Sequence, residues 1–249
     1  MSETSVERAF AILETFERER RPLSLKELAE LCRIPASTCH TLVHTLLKRS
    51  YLYQAGRRKD LYPTRRLYDM GAAIIAHDPV LQRLLPAMQD LCETTRETVI
   101  LGKRQKDGVV YLEVIESPEV IRYSARAGDI KPLHSSCIGK TMLAGLDPED
   151  AREWLLDHPP APVTANTIID IDALLDDMAE GRARGFFATR GENVADVTAL
   201  AVPVPLNNEL YAIAVAGPSH RVDEHFVAIS GALLQVQAEI LEAEVTHHG

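Results

Sequence analysis

SLKELAELCRIPASTCHTLVHTLLKR, residues 24–49, reads as two short helices joined by a tight turn. Ser24 and Glu27 stand at capping-box spacing and mark a helix start. Leu25, Leu28, Ala29 and Leu31 follow at helical spacing. Arg33, Ile34 and Pro35 interrupt the period, because proline disfavours helical geometry in the residue before it yet suits the start of a new helix. From Ala36 the period resumes, with Cys39, Leu42, Val43, Leu46 and Leu47 on one side. Ser37, His40, Thr41, His44, Thr45 and Lys48 lie on the other. A helix with an outer face of hydroxyl, imidazole and ammonium groups, held by a preceding helix, is what a helix-turn-helix lays in the major groove of DNA.

Two amphipathic helices around a proline turn also occur in helical proteins that never meet DNA, so the flanks matter. An amphipathic helix precedes, with Val6, Ala9, Phe10, Leu13 and Phe16 on one stripe. A hairpin pattern follows, Tyr51-Leu52-Tyr53 and Leu61-Tyr62, around a Gly56-Arg57-Arg58-Lys59-Asp60 tip. Helix, helix-turn-helix and basic hairpin is the order of a winged helix, and Arg57, Arg58 and Lys59 carry the charge that a phosphate backbone attracts.

The 249 residues, 46% hydrophobic, suffice for two domains with separate cores. The net charge of −9 opposes nucleic-acid binding only until it is divided. Residues 1–68 hold 13 Lys and Arg against 8 Asp and Glu, whereas residues 69–249 hold 14 against 28. A basic module on an acidic body confines DNA binding to one end. No basic-then-apolar leader opens the chain, and no apolar run approaches the roughly 20 residues of a bilayer span. Cys32, Cys39, Cys92 and Cys137 are scattered, without CxxC or Cys/His zinc spacing. They imply neither metal nor cofactor and fit a reducing cytoplasm.

The expected division is a winged helix-turn-helix domain over residues 1–64, a linker helix over 65–79 and a second domain over 80–249. The linker has Leu67, Met70, Ile74 and Ile75 apolar, with no partner in its own segment, so a second chain is the expected cover and a homodimer or homotetramer the expected assembly. Past a helix at 80–95 the period becomes that of strands, at 98–101, 108–115 and 120–125. A loop over 128–136 leads into a helix near 137–146, and further helices are expected at 148–157 and 170–184. Strands return at 185–189, 198–204 and 211–216, before a final helix over about 223–245. The second domain is therefore α+β with antiparallel strands.

At this point the chain resembles the IclR family of bacterial transcriptional regulators. SVERAFAILETF, PLSLKELAE, IPASTCHTL and TLLKRSYL resemble its winged-helix half. ETVILG, PLHSSCIGKTMLA, GFFATRGEN, ALAVPV and AVAGP resemble its GAF-like effector-binding half. The resemblance implies a dimer or tetramer that binds double-stranded promoter DNA and changes its affinity when a small metabolite enters the second domain. It places Ser37 and Thr38 at the start of the recognition helix, suited to phosphate, and His40, Thr41 and His44 on the base-facing surface. Thr41 stands where many relatives have arginine, so the strongest guanine reader is missing.

In the second domain the resemblance marks His134, Ser135, Ser136, Cys137, Ile138 and Gly139, where a loop enters a helix whose N–H groups attract anions. The two serines suit either helix capping or the acid end of an effector. Glu192 and Asn193 in the GFFATRGEN turn, with Leu101, Ala214 and Ala216, complete the expected lining. The two alanines resemble serines in members that bind very small oxo-acids, and methyls in place of hydroxyls favour a larger, partly apolar organic acid. Asp196 replaces the family's usual glycine. Cys137 near His134 leaves two alternatives, a redox-sensing thiol or a catalytic nucleophile, although no third orienting group supports catalysis.

Overall fold

The computed structural model describes residues 4–247. Two compact units result, one ending at Asp78 and the other beginning at Pro79. The first opens with α1 (Ser5–Glu19), α2 (Leu25–Leu31) and α3 (Ala36–Lys48). Ser24 caps α2 with a reciprocal capping box to Glu27, and Arg33 turns the chain in a left-handed conformation, φ 55°. Ile12, Phe16, Leu28, Cys39, Val43, Leu52 and Leu61 form the core. The α1 stripe differs from expectation, since Ile12, Thr15 and Phe16 face inward while Val6 and Phe10 are exposed. Both stripes satisfy a helical period, and the stripe nearer the middle of α1 meets the other helices. The wing consists of β1 (Leu52–Ala55) and β2 (Asp60–Pro63), with Leu23 bridging to Leu61 as a third, one-residue strand. The linker segment forms α4 (Arg66–Ala76), which has no buried residue.

The second unit begins with α5 (Pro79–Thr95), followed by β3 (Thr98–Gln105), β4 (Gly108–Ile115) and β5 (Ile130–Pro132). Next come α6 (Cys137–Ala144), α7 (Pro148–Asp157) and α8 (Ile171–Arg184). The chain closes with β6 (Phe187–Arg190), β7 (Val197–Leu206), β8 (Glu209–Pro218), α9 (Ser219–Glu224) and α10 (Phe226–His247). The six strands form one antiparallel sheet in the order β5-β4-β3-β8-β7-β6. Helices α5 and α10 cover one face, against Leu101, Leu200, Val202, Ile213 and Val215. Helices α6, α7 and α8 cover the other, against Ile100, Ala199, Ala201, Ala212, Ala214 and Ala216. Strand alternation makes one face of β7 and β8 bulky and the other almost wholly alanine. The small face lets α6 lie close to the sheet and leaves space beyond its first turn.

Three expectations change. Residues 120–125 form no strand, and Val120 is 93% exposed. The outer edge of β4 is already taken by β5 and by the main chain of Gly128 and Asp129, so the 120–125 alternation finds no ladder. The strand there is β5, inside the segment expected to be loop. The last helix is divided at His225 into α9 and α10. Phe226–Glu244 of α10 has the length and apolarity of a bilayer-crossing helix, a pattern the sequence reading passed over. Its Ile229, Leu233, Val236 and Ile240 are buried against α5 and the sheet, which accounts for part of that apolarity.

Candidate functional site

On the first unit, α3 presents Ser37, His40, Thr41, His44, Thr45 and Lys48 to solvent, while Thr38 is half-buried. The N-cap position of α3 is Pro35, which supplies no side-chain cap, so α3 starts with backbone N–H groups available to a phosphate. Thr41 Oγ1 donates to Ser37 O and Thr45 Oγ1 donates to Thr41 O, both at 3.1 Å. These hydroxyls spend their hydrogens on the helix itself. The side-chain donors left on the outer face are the two imidazoles, Ser37 and Lys48. At the wing tip Arg57, Arg58 and Lys59 are exposed, and no ion pair is found for them among the described residues. Gly56 and Lys59 turn the tip with φ values of 65° and 56°.

In the second unit the start of α6 faces a cavity whose free interior is about 20 Å³, far below the roughly 300–1,000 Å³ of an open ligand pocket. Its floor is Ile100, Ala199, Ala214 and Ala216, four side chains on the alanine face of the sheet. Ser136 and Cys137 bring the start of α6 to one wall, and Thr189, Asn193, Val194 and Val197 form another. Tyr111 of β4 and Tyr123 of the 116–128 strap complete the enclosure. The free interior admits little more than a water molecule, so a ligand enters by moving a wall.

Of the residues marked in the sequence, this cavity brings together Ser136, Cys137, Asn193, Ala214 and Ala216. Leu101 is corrected by parity: its neighbour Ile100 points into the cavity, and Leu101 packs under α5 and α10. His134 Nε2 lies 2.8 Å from Ala161 O, and Ser135 Oγ donates to Asn193 Oδ1 at 3.4 Å, one step behind the wall. Ile138 packs on the sheet over Gly102. Gly139 serves close packing, since a Cβ there would stand 2.2 Å from Leu133 O. Glu192 turns away from the cavity toward Lys140.

Lys140 went unmarked in the sequence, yet its side chain is fully buried and its Nζ lies 2.7 Å from both Asp177 and Glu192. Burial raises the Glu192 carboxyl above its usual range, against the opposing pull of Lys140. Burial also pushes the Cys137 thiol up to about 12, although the Ile138 and Cys137 amides and Lys140 favour its thiolate. A thiol of this kind is protonated at neutral pH and makes a poor nucleophile.

The strap is fixed by its own backbone. Thr98 Oγ1 donates to Tyr123 O at 2.5 Å, Ser117 Oγ donates to Arg96 O at 2.5 Å, and Arg221 donates to Ile121 O at 3.0 Å. Arg221 also clamps the buried Glu97 carboxylate through both nitrogens. That carboxylate lies where a Cβ on residue 217 would stand, so glycine is required there. No sequence period signals such a strap, because its contacts join residues far apart in the chain.

A winged helix-turn-helix joined to an α+β domain that encloses a small, mostly apolar cavity defines a ligand-responsive DNA-binding regulator. The IclR helix-turn-helix domain matches residues 5–56, and the bacterial transcriptional regulator IclR C-terminal domain matches residues 72–241. The chain belongs to the IclR family of bacterial transcriptional regulators, and is a regulator rather than an enzyme. It is 27% identical to the transcriptional regulator KdgR of Escherichia coli over 252 residues, 99% of this chain and 94% of that one. It is 30% identical over 221 residues to BhcR of Paracoccus denitrificans, covering 88% of this chain and 79% of the relative. Its fold is similar to that of an IclR homolog from Microbacterium hydrocarbonoxydans crystallised with 4-hydroxybenzoate, with a TM-score of 0.74 and 24% identity over 96% of this chain and all of that one.

Proposed function

We propose that this regulator is a cytoplasmic promoter-binding protein whose hold on DNA is set by a small organic acid in the α6 cavity, and that it acts as a homodimer or homotetramer. The observation that carries the reading is the floor of Ala199, Ala214 and Ala216 beside the start of α6. Methyl groups there offer a hydrophobic seat and no hydrogen bonds, which suits an aromatic or medium-chain acid better than a two-carbon one. The Microbacterium homolog was crystallised with an aromatic acid, 4-hydroxybenzoate, of the class proposed here. Helix-start N–H groups carry partial positive charge, so the acid needs no basic side chain. On the β8 floor, Ala214 and Ala216 offer no hydroxyls to a two-carbon acid.

The test is a thermal-shift screen of the full chain against benzoate, 4-hydroxybenzoate, octanoate, pyruvate and glyoxylate. At a hundredfold its dissociation constant a ligand adds about 2.7 kcal/mol of stability. Stabilisation by the larger acids, with altered operator binding, is the expected result. Glyoxylate or pyruvate as the tightest binder would overturn the size argument. A redox role for Cys137 competes poorly, since the thiol is buried and held protonated.

A further inference from the structure

The polar groups around the cavity differ in what they have left to give. The single hydroxyl proton of Ser136 is donated to Pro132 O at 2.7 Å, and the same oxygen accepts from Gly139 N at 3.1 Å. Ser135 is fully buried behind Asn193 and His134 is engaged with Ala161. Lys140 is held by Asp177 and Glu192. None of these can meet an incoming anion without breaking a bond already made. Three further hydroxyls line the cavity with no such bond among the described residues, those of Thr189, Tyr111 and Tyr123. Tyr111 is 5% exposed, and it shares the cavity lining with the half-buried Tyr123 and with Cys137. Among the described residues neither phenol has a carboxylate or carbonyl acceptor. A buried phenol left with only another phenol for company is under-used, because a hydrogen bond to a charged acceptor is about twice as strong as one between neutral groups.

We propose that the hydroxyls of Tyr111 and Tyr123, rather than those of Ser135 and Ser136, receive the effector's carboxylate beside the start of α6, so that the bound acid ties the 116–128 strap to the sheet. The inference rests on the reading of the cavity as an acid site and names the groups that do the recognising. Burial and the Tyr123 contact keep Tyr111 protonated far above neutral pH, so it remains a donor whenever the acid is ionised. Tyr111 sits on β4 within the sheet, and Tyr123 sits on a strap held at its own carbonyl by Thr98 and at Ile121 by Arg221. Two donors presented by two elements give a ligand something to close. The apolar floor then receives the rest of the molecule, and Cys137 contributes bulk with its thiol intact.

The experiment is isothermal titration of the full chain with benzoate and octanoate, each compared with its neutral amide, for wild type, Tyr111→Phe and Tyr123→Phe. Each phenylalanine variant should bind the acid roughly 10- to 100-fold more weakly, the range for a lost hydrogen bond to a charge. The amides should change by less than about threefold, because they never offered the charge. Thermal unfolding and operator binding without ligand should match wild type, which excludes misfolding as the cause. Unchanged acid affinity in both variants overturns the phenol pair and leaves the acid-effector reading standing. Equal losses for acid and amide also overturn it, since they would mean packing rather than charge recognition. If wild type binds neither acid, the acid-effector reading itself falls and the phenol pair falls with it.

Discussion

Lys140 and Asp196 show opposite kinds of single-residue constraint. Lys140 is a buried ammonium between two carboxylates, and deleting its charge strands Glu192 in an apolar surround. Lys140→Met should cost about 3–5 kcal/mol near neutral pH, as measured by urea unfolding. The pH dependence has a definite sign. Glu192 already has a raised carboxyl pKa in the folded protein, so the native state binds the proton more readily than the unfolded state does. Stability therefore falls as pH rises from the ordinary carboxylate range up to the raised value of the folded state. Without Lys140 that window widens upward, so the variant should regain part of its loss in mild acid; a loss that does not vary with pH would exclude Glu192 as the cause. Asp196 sits at φ 60° in the turn before β7, and its carbonyl accepts from Ser219 N at 2.8 Å. Aspartate tolerates that left-handed region better than most residues. Asp196→Gly should be neutral or stabilising by up to about 1 kcal/mol, whereas Asp196→Val should lose about 1–3 kcal/mol. Equal melting temperatures for the two variants would remove this account.

Elements with a strong period were legible before the fold was known, and the reason is local. The capping box of α2 and the turn at Pro35 are written within a few residues, as are the inward Cys39 and Val43 of α3. The alternation of β7 and β8 likewise predicted strands, with Ala214 and Ala216 on the face under α6, whereas on β3 the inward residue is Ile100 rather than Leu101, one position off. The strap, β5 and the Lys140 ion pairs were illegible because they depend on partners that no periodicity joins. For α3, the hydroxyls of Thr41 and Thr45 are back-bonded, so in the proposed promoter-binding function His40 and His44 would carry the base reading. His44→Ala should cost about 1–3 kcal/mol on the cognate operator and little on random DNA. Equal weakening on both would make it a phosphate contact. Arg58→Ala on the wing tip should weaken binding to every sequence and reduce the slope of log K against log salt by about 0.9.

Across the whole molecule, the charge division and the exposed apolar surfaces point to one assembly. The first unit carries the basic surplus, and one winged helix covers only one half-site; paired half-sites lie about one turn of DNA, ~34 Å, apart. Helix α4 buries none of its residues within the chain, and Met70, Ile74 and Ile75 are 44%, 65% and 57% exposed. Val6 and Phe10 on α1 are exposed as well. Apolar groups concentrated on two helices of a small domain are costly to leave in water, and in the proposed homodimer or homotetramer a second copy would cover them. Ile74→Glu places a charge where that cover would form. Sedimentation at micromolar concentration should then show monomers where wild type shows dimers or tetramers. Operator affinity should fall by at least about a hundredfold, because each half-site then binds alone and the advantage of linkage is lost. Affinity for a single half-site should stay near the wild-type value, since the recognition helix and wing are untouched. A variant that remains dimeric with full operator affinity would assign the assembly to some other face, and an Ile74→Glu monomer that still binds the operator tightly would remove the two-half-site argument altogether.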